Sequence, residues 1–324
     1  MIPSHIRARM KFNLATTSFM WLFWSCVHAN EGLESDFIGW ADAYKMHPAT
    51  LVAIDPRGKT MIQAGSVDPV DLPMPIASIS KTIAGQCAMY MARQEMLSMS
   101  SPVSDFLGWT EPQGAVTVTQ LLTHSSGFGP DSTRRDIFGR NLKNNARIEQ
   151  ILDDVSARSL LPSATGSHCY NNENFLVLEA VLTAVANEDA VSWCTRFVPG
   201  LSTLESLGRA DQTHALGFAG GLELSASDLA LFFHELVVDE DWPRVSSYGP
   251  YEYGPGIFIQ TTREGQNIFH IGGICVFLGP NIGAFAARFA NGNSVAVLYS
   301  GCADQDSRGQ LNELIFNHLG KLAE

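Results

Sequence analysis

Beyond its first thirty residues the chain alternates between two kinds of apolar spacing. Ala49-Thr50-Leu51-Val52-Ala53-Ile54 and Lys59-Thr60-Met61-Ile62-Gln63 are runs rich in apolar and β-branched residues, flanking the turn-forming Asp55-Pro56-Arg57-Gly58. They predict a hairpin, preceded by a helix over 36–46. From Ser80 to Met96 there is no proline, and Ala84, Gly85, Ala88 and Ala92 stand among Ile83, Met89 and Met91. That pattern predicts a helix surrounded by other elements. From about Val116 to Arg209 helical patterns dominate, Ile148 to Val155 and Asn174 to Ala186 among them, broken by Gly and Pro loops. A helix over 226–237 follows, with Ser225 as its expected cap. The spacing then turns to strands over 256–262, 268–271, 284–290 and 294–300. Asn291-Gly292 between the last two reads as a two-residue hairpin turn, because both residues tolerate positive φ. Leu311, Leu314, Ile315 and Leu319 form the stripe of a closing helix over 310–322.

Strands at both ends with helices between them predict an α+β fold. An antiparallel sheet flanked by helices is built from the N- and C-terminal parts, and a mainly helical domain is inserted. The expected division is one unit over 30–324, with 30–80 and 212–324 forming the α/β part and 81–211 the helical part. A cleft is expected between the two.

Composition narrows the function. A chain of 324 residues, 45% hydrophobic, can bury a full core. Its net charge of -12 leaves no sustained basic stripe, so a nucleic-acid partner is not expected. Arg7, Arg9 and Lys11 precede an apolar run from Phe12 to Trp24, and Val27-His28-Ala29 offers small-residue cleavage chemistry. This reads as a secretory signal peptide over 1–29, with Met10 as a more compact start than Met1. The competing reading, an uncleaved anchor, needs a longer apolar run. Periplasmic or secreted location follows, without a stable membrane span once the leader is removed. Cys87, Cys169, Cys194, Cys275 and Cys302 then remain, an odd number without C-x-x-C spacing. Zinc and thioredoxin-like readings lack support, and one disulfide is permitted. Cys169 is expected to be a small buried hydrophobe. His234-Glu235 opens like a zinc-protease helix, but Val238 stands where the second histidine belongs, so no metal and no cofactor is expected. No G-x-S-x-G occurs.

Ser78 and Lys81 are three residues apart at the start of the predicted helix, so their side chains share a face. A serine hydroxyl needs a neighbouring base, and a lysine serves as one when burial lowers its pKa. Such a pair is weak alone, since S-x-x-K arises by chance about once in a chain this long. Two later segments add to it: Tyr170-Asn171-Asn172, a Y-x-N triplet, and His270-Ile271-Gly272-Gly273, an H-x-G on a predicted strand.

In this order the three motifs resemble the serine β-lactamase and penicillin-binding-protein superfamily, in particular the class C β-lactamase branch with its esterase and D-peptidase relatives. Leu121-Leu122-Thr123-His124-Ser125-Ser126-Gly127-Phe128 and Ala219-Gly220-Gly221-Leu222 extend the similarity over roughly Ala49 to Leu319. The resemblance implies a β-lactamase/transpeptidase-like fold and an acyl-enzyme mechanism. Ser78 attacks the acyl carbon; Lys81 accepts its proton. Tyr170 acts as a phenolate or through a hydrogen bond to Lys81 and protonates the leaving group, and Asn172 orients Lys81 and substrate. Gly272 lets substrate lie beside the strand, and the N–H groups of Ser78 and Gly273 form the oxyanion hole. His270 replaces a lysine, putting a mostly neutral, substrate-facing group where β-lactamases keep a cation. The expected activity is therefore hydrolysis of a small ester, D-amino-acid peptide or amide rather than efficient β-lactam turnover. The alternative from another class is a catalytically weak or inactive module that holds peptidoglycan fragments. His124 is expected to stabilise its own Gly127 loop. The substrate is a small molecule or peptide, and the oligomeric state is left open.

Overall fold

The computed structural model describes residues 32–66, 70–135, 143, 145–276 and 281–320. The signal peptide expected over 1–29 and the alternative start at Met10 lie outside these residues. No described helix is long and apolar enough to cross a membrane.

A helix over 32–44 leads into β1 (Ala49–Ile54), which turns back through Asp55 to β2 (Thr60–Gly65). Asp55 builds this turn: its Oδ1 accepts the N–H groups of Arg57 and Lys59. The main sheet is antiparallel with the order β2-β1-β11-β10-β9-β8-β7-β6, where β6 (Val245–Ser246), β7 (Glu252–Gly254), β8 (Ile257–Thr261), β9 (Gln266–Ile274), β10 (Ile282–Arg288) and β11 (Ser294–Ser300) follow in sequence. β1 pairs with β11 from Ala49↔Tyr299 to Ile54↔Ser294, so the sheet is assembled from both ends of the chain, as the alternation predicts. A second sheet of three short strands joins β3 (Met74–Pro75), β5 (Leu222–Leu224) and β4 (Gly208–Arg209).

β1 and β11 are buried on both faces. Val52, Ile54, Ala296 and Leu298 face the larger core with Leu229 and Phe233 of the Ala226–Glu235 helix. Leu51, Ala53, Val295 and Val297 face a second core, closed by Phe37 and Trp40 of the first helix and by Leu311 and Ile315 of the last. Burial on both sides explains the unbroken apolar runs of these two strands.

Four local expectations are corrected. The β10–β11 connection is a longer loop closed by Phe289 N–H to the Asn293 carbonyl, and of Asn291-Gly292 only Gly292 has positive φ. The last helix begins at Gln305, five residues early, because Asp304 caps it through the Ser307 N–H, and it ends in a π-helical turn over Phe316–Gly320. Two disulfides form where one was expected to be permitted. Cys87–Cys194 ties the Ser80–Arg93 helix to the Ala190–Phe197 helix, and Cys275–Cys302 ties the end of β9 to the chain beyond β11. Cys169 is free and exposed rather than buried, because the 166–169 segment runs over the surface.

Candidate active site

The segment that carries Ser78 begins with a single tight turn, Ala77–Ile79, that runs into the Ser80–Arg93 helix. Ala77 has φ +45°, a left-handed conformation that a residue with a Cβ adopts at a cost. Ser80 holds the turn: its hydroxyl donates to the Ala77 carbonyl and accepts the Leu222 N–H. Behind the helix, a Cβ on Gly85 would fall 1.9 Å from the Pro255 carbonyl oxygen, so only glycine lets the helix approach that turn. In front, a Cβ on Gly272 would lie 2.3 Å from the Ile76 carbonyl oxygen and 3.2 Å from Ala77 Cβ. Gly272 is thus needed for contact between β9 and the Ala77–Ile79 turn. The β period of two puts Gly272 and His270 on the inner face and Gly273 on the exposed one, where a Cβ would meet nothing nearer than the Ile282 carbonyl at 4.0 Å.

Lys81 is fully buried. Its Nζ lies 3.2 Å from Ser78 Oγ, 2.8 Å from Asn172 Oδ1 and 2.5 Å from the Ala219 carbonyl. Burial lowers its pKa from 10.5 to about 7, against the opposing charge of Asp131. Two of the three neighbours can only accept. When the amine is neutral, its two N–H bonds therefore go to Asn172 and Ala219, and the lone pair points at Ser78, whose hydroxyl can donate.

Tyr170 stands beside this pair, with Lys81 Nζ 5.0 Å from its ring centroid. Burial raises its phenol well above the ordinary range, with a side-chain hydrogen bond to Ser78 acting against the rise. At neutral pH it is a phenol. His270 is buried, its pKa lowered to about 3 by burial and by Lys81. Nδ1 lies 2.9 Å from the Ile271 carbonyl, which can only accept, so Nδ1 carries the proton and Nε2 accepts from Tyr253 Oη at 3.2 Å. Both nitrogens are thereby occupied within the protein.

The sequence motifs missed several groups. Asn172 Nδ2 donates to Thr133 Oγ1 at 3.0 Å, and Asp131 accepts from Thr133 Oγ1 at 2.6 Å and from the Asn172 N–H at 3.2 Å. Glu173, wholly buried, pairs with Arg158 at 2.6 Å and accepts from the Ser132 N–H and hydroxyl. His124 does not brace the Gly127 loop with its ring. The ring lies against Tyr170 at 4.3 Å and Tyr253 at 4.9 Å, and Nδ1 accepts the Asn171 N–H. Asp131, in a loop, and the aromatic Tyr253 carry no spacing signature that would have found them. Among the described residues no group of three or more His, Cys, Asp or Glu side chains is placed to hold a metal ion.

An antiparallel sheet with helices on both faces and a serine next to a buried lysine define the class: a protein of the β-lactamase/transpeptidase fold. The Beta-lactamase family model matches residues 40–319, and the chain belongs to that family. It is similar in structure to a D-stereospecific amidohydrolase from Streptomyces sp. (18% identity, TM-score 0.69, covering 89% of this chain and 98% of that one). A β-lactamase/D-alanine carboxypeptidase from Pseudomonas syringae is similar too (16%, TM-score 0.70, 90% and 99%). In sequence it is 22% identical over 156 residues to a teichoic acid D-alanine hydrolase from Staphylococcus aureus strain MRSA252, covering 48% of this chain and 37% of the relative. The chain thus spans little more than a third of that curated relative's length.

Proposed function

We propose that the protein is a serine hydrolase that cleaves an ester or amide through an acyl-enzyme on Ser78. The cage around Lys81 carries the reading: a buried amine, half-neutral near pH 7, whose free lone pair faces Ser78 Oγ at 3.2 Å. The hydroxyl proton passes to Lys81 as Oγ bonds the acyl carbon. Backbone N–H groups of Ser78 and Gly273 hold the oxyanion, a role supported by the close approach of Gly272 to Ala77. Tyr170, kept protonated, gives its proton to the leaving group and recovers one from the Lys81 ammonium. Water then repeats the sequence to release the acid and free Ser78.

His270 narrows the substrate. A neutral ring with both nitrogens engaged offers no cation to a substrate carboxylate, so efficient β-lactam hydrolysis is disfavoured. The relatives' names, D-stereospecific amidohydrolase and teichoic acid D-alanine hydrolase, support a D-aminoacyl amide or ester. The unit over 30–324 acts as one catalytic body in this reading, exported by its leader.

Mass spectrometry after treatment with a fluorophosphonate tests it. An adduct on Ser78, together with p-nitrophenyl acetate turnover that vanishes in Ser78→Ala, is the expected result. Folded protein with neither adduct nor turnover would instead leave a module that only binds.

A further inference from the structure

Lys81 can serve as base only while Asn172 presents its oxygen and not its amide nitrogen. Rotated by a half turn, the Asn172 side chain would set N–H against N–H and deprive the amine of one of its two pure acceptors. What fixes the rotation is Thr133. Its single hydroxyl proton goes to Asp131 Oδ1 at 2.6 Å, so toward Asn172 the oxygen can only accept, and it takes the Nδ2 hydrogen at 3.0 Å. Asp131 completes the clamp from the backbone side, with Oδ2 on the Asn172 N–H at 3.2 Å and Oδ1 on the Thr133 N–H at 3.0 Å. Thr133 is fully buried, and the intervening Ser132 is anchored through its N–H and hydroxyl to Glu173.

We propose that Asp131 and Thr133 are positioning residues for acyl transfer, which through Asn172 determine where the lone pair of the base points. The proposal rests on Ser78 and Lys81 being nucleophile and base. Asp131 has a second effect that a purely steric brace lacks: its charge opposes the lowering of the Lys81 pKa. The other titratable groups around Lys81 are Tyr170, His124 and His270. Burial pushes the phenol up and both imidazoles below their ordinary values, so none of them supplies a limb near pH 7.

The experiment is the rate of Ser78 phosphonylation by a fluorophosphonate, followed against pH on the full chain. Fluoride leaves without needing a proton, so the rate reports on removal of the serine hydrogen. Wild type is expected to show an acid limb near pH 7. Thr133→Val should label about tenfold more slowly at every pH with the limb unmoved, reflecting one lost orienting hydrogen bond. Thr133→Ser should restore the rate. Asp131→Asn should move the limb to lower pH, a displacement that loss of folded protein alone cannot produce. Thr133→Val labelling at the wild-type rate, or Asp131→Asn with an unmoved limb, overturns the proposal while leaving the hydrolase reading intact. Wild type that takes no label on Ser78 ends both. If Asp131→Asn does not fold, the Thr133→Val and Thr133→Ser pair decides alone.

Discussion

Keeping an amine inside the protein has a thermodynamic signature that needs no substrate. The fall in the Lys81 pKa from 10.5 to about 7 corresponds to about 5 kcal/mol against the charged form in the folded state. The sign follows from proton counts. Below pH 7 both folded and unfolded chains hold the proton, and the full penalty is present. Between 7 and 10.5 the unfolded chain keeps a proton that the folded chain has released, so stability rises with pH, by roughly 2 kcal/mol from pH 7 to pH 9. Lys81→Met removes this slope. It also leaves Asn172 Oδ1 and the Ala219 carbonyl without their donor, so the absolute difference between the two proteins mixes several effects. The change of that difference with pH isolates the lysine. His124 and His270 titrate below this window and Tyr170 and Tyr253 above it, in both proteins. Urea unfolding of wild type and Lys81→Met at pH 7, 8 and 9 should therefore show the gap moving in favour of wild type by about 1 kcal/mol over the first pH unit and by about 1.3 kcal/mol over the second. Stability curves that stay parallel would refute a buried, neutralised base.

Other consequences are as direct. Gly272→Ala places a methyl 2.3 Å from a backbone oxygen that cannot rotate away, which should cost about 1–3 kcal/mol and lower Ser78 labelling about a hundredfold. Circular dichroism melts and labelling rates check both, and a variant with wild-type behaviour would contradict the packing of β9 on the nucleophile turn. Ala77→Gly relieves the left-handed φ and should raise stability by about 1 kcal/mol in thermal unfolding while slowing ester turnover as the turn loosens. Removing the bridge that spans 107 residues, with Cys87→Ala and Cys194→Ala together, should destabilise by about 3–5 kcal/mol in urea unfolding. Cys169→Ser should leave that measurement unchanged, since the free thiol is exposed.

The parts of this site that sequence reveals are those encoded by short spacing. Ser78 and Lys81 are one helical turn apart, so their proximity follows from helix geometry alone. The strands β1 and β11 were legible in their apolar runs, while their burial on both faces was not drawn from them. The Asp131–Thr133–Asn172 chain was not, because its hydrogen bonds join segments about forty residues apart and ordinary loop residues supply them. The packing role of Gly272 was legible but not drawn out: its alternation with His270 assigns it to the inner face, and Gly273 to the open one. Disulfide pairing was out of reach, since it depends on which helices and strand ends the finished fold brings together.

The pairing of β1 with β11 sets the order of events during biosynthesis. Some 240 residues separate the two partners, so a chain emerging from the ribosome carries a hydrophobic ribbon with no neighbour on one side until translation is almost finished. Nonsense mutations or proteolytic trimming that remove only the final tenth of the polypeptide take away the middle of the sheet, not a dispensable tail. Aggregation of such fragments is the accompanying hazard.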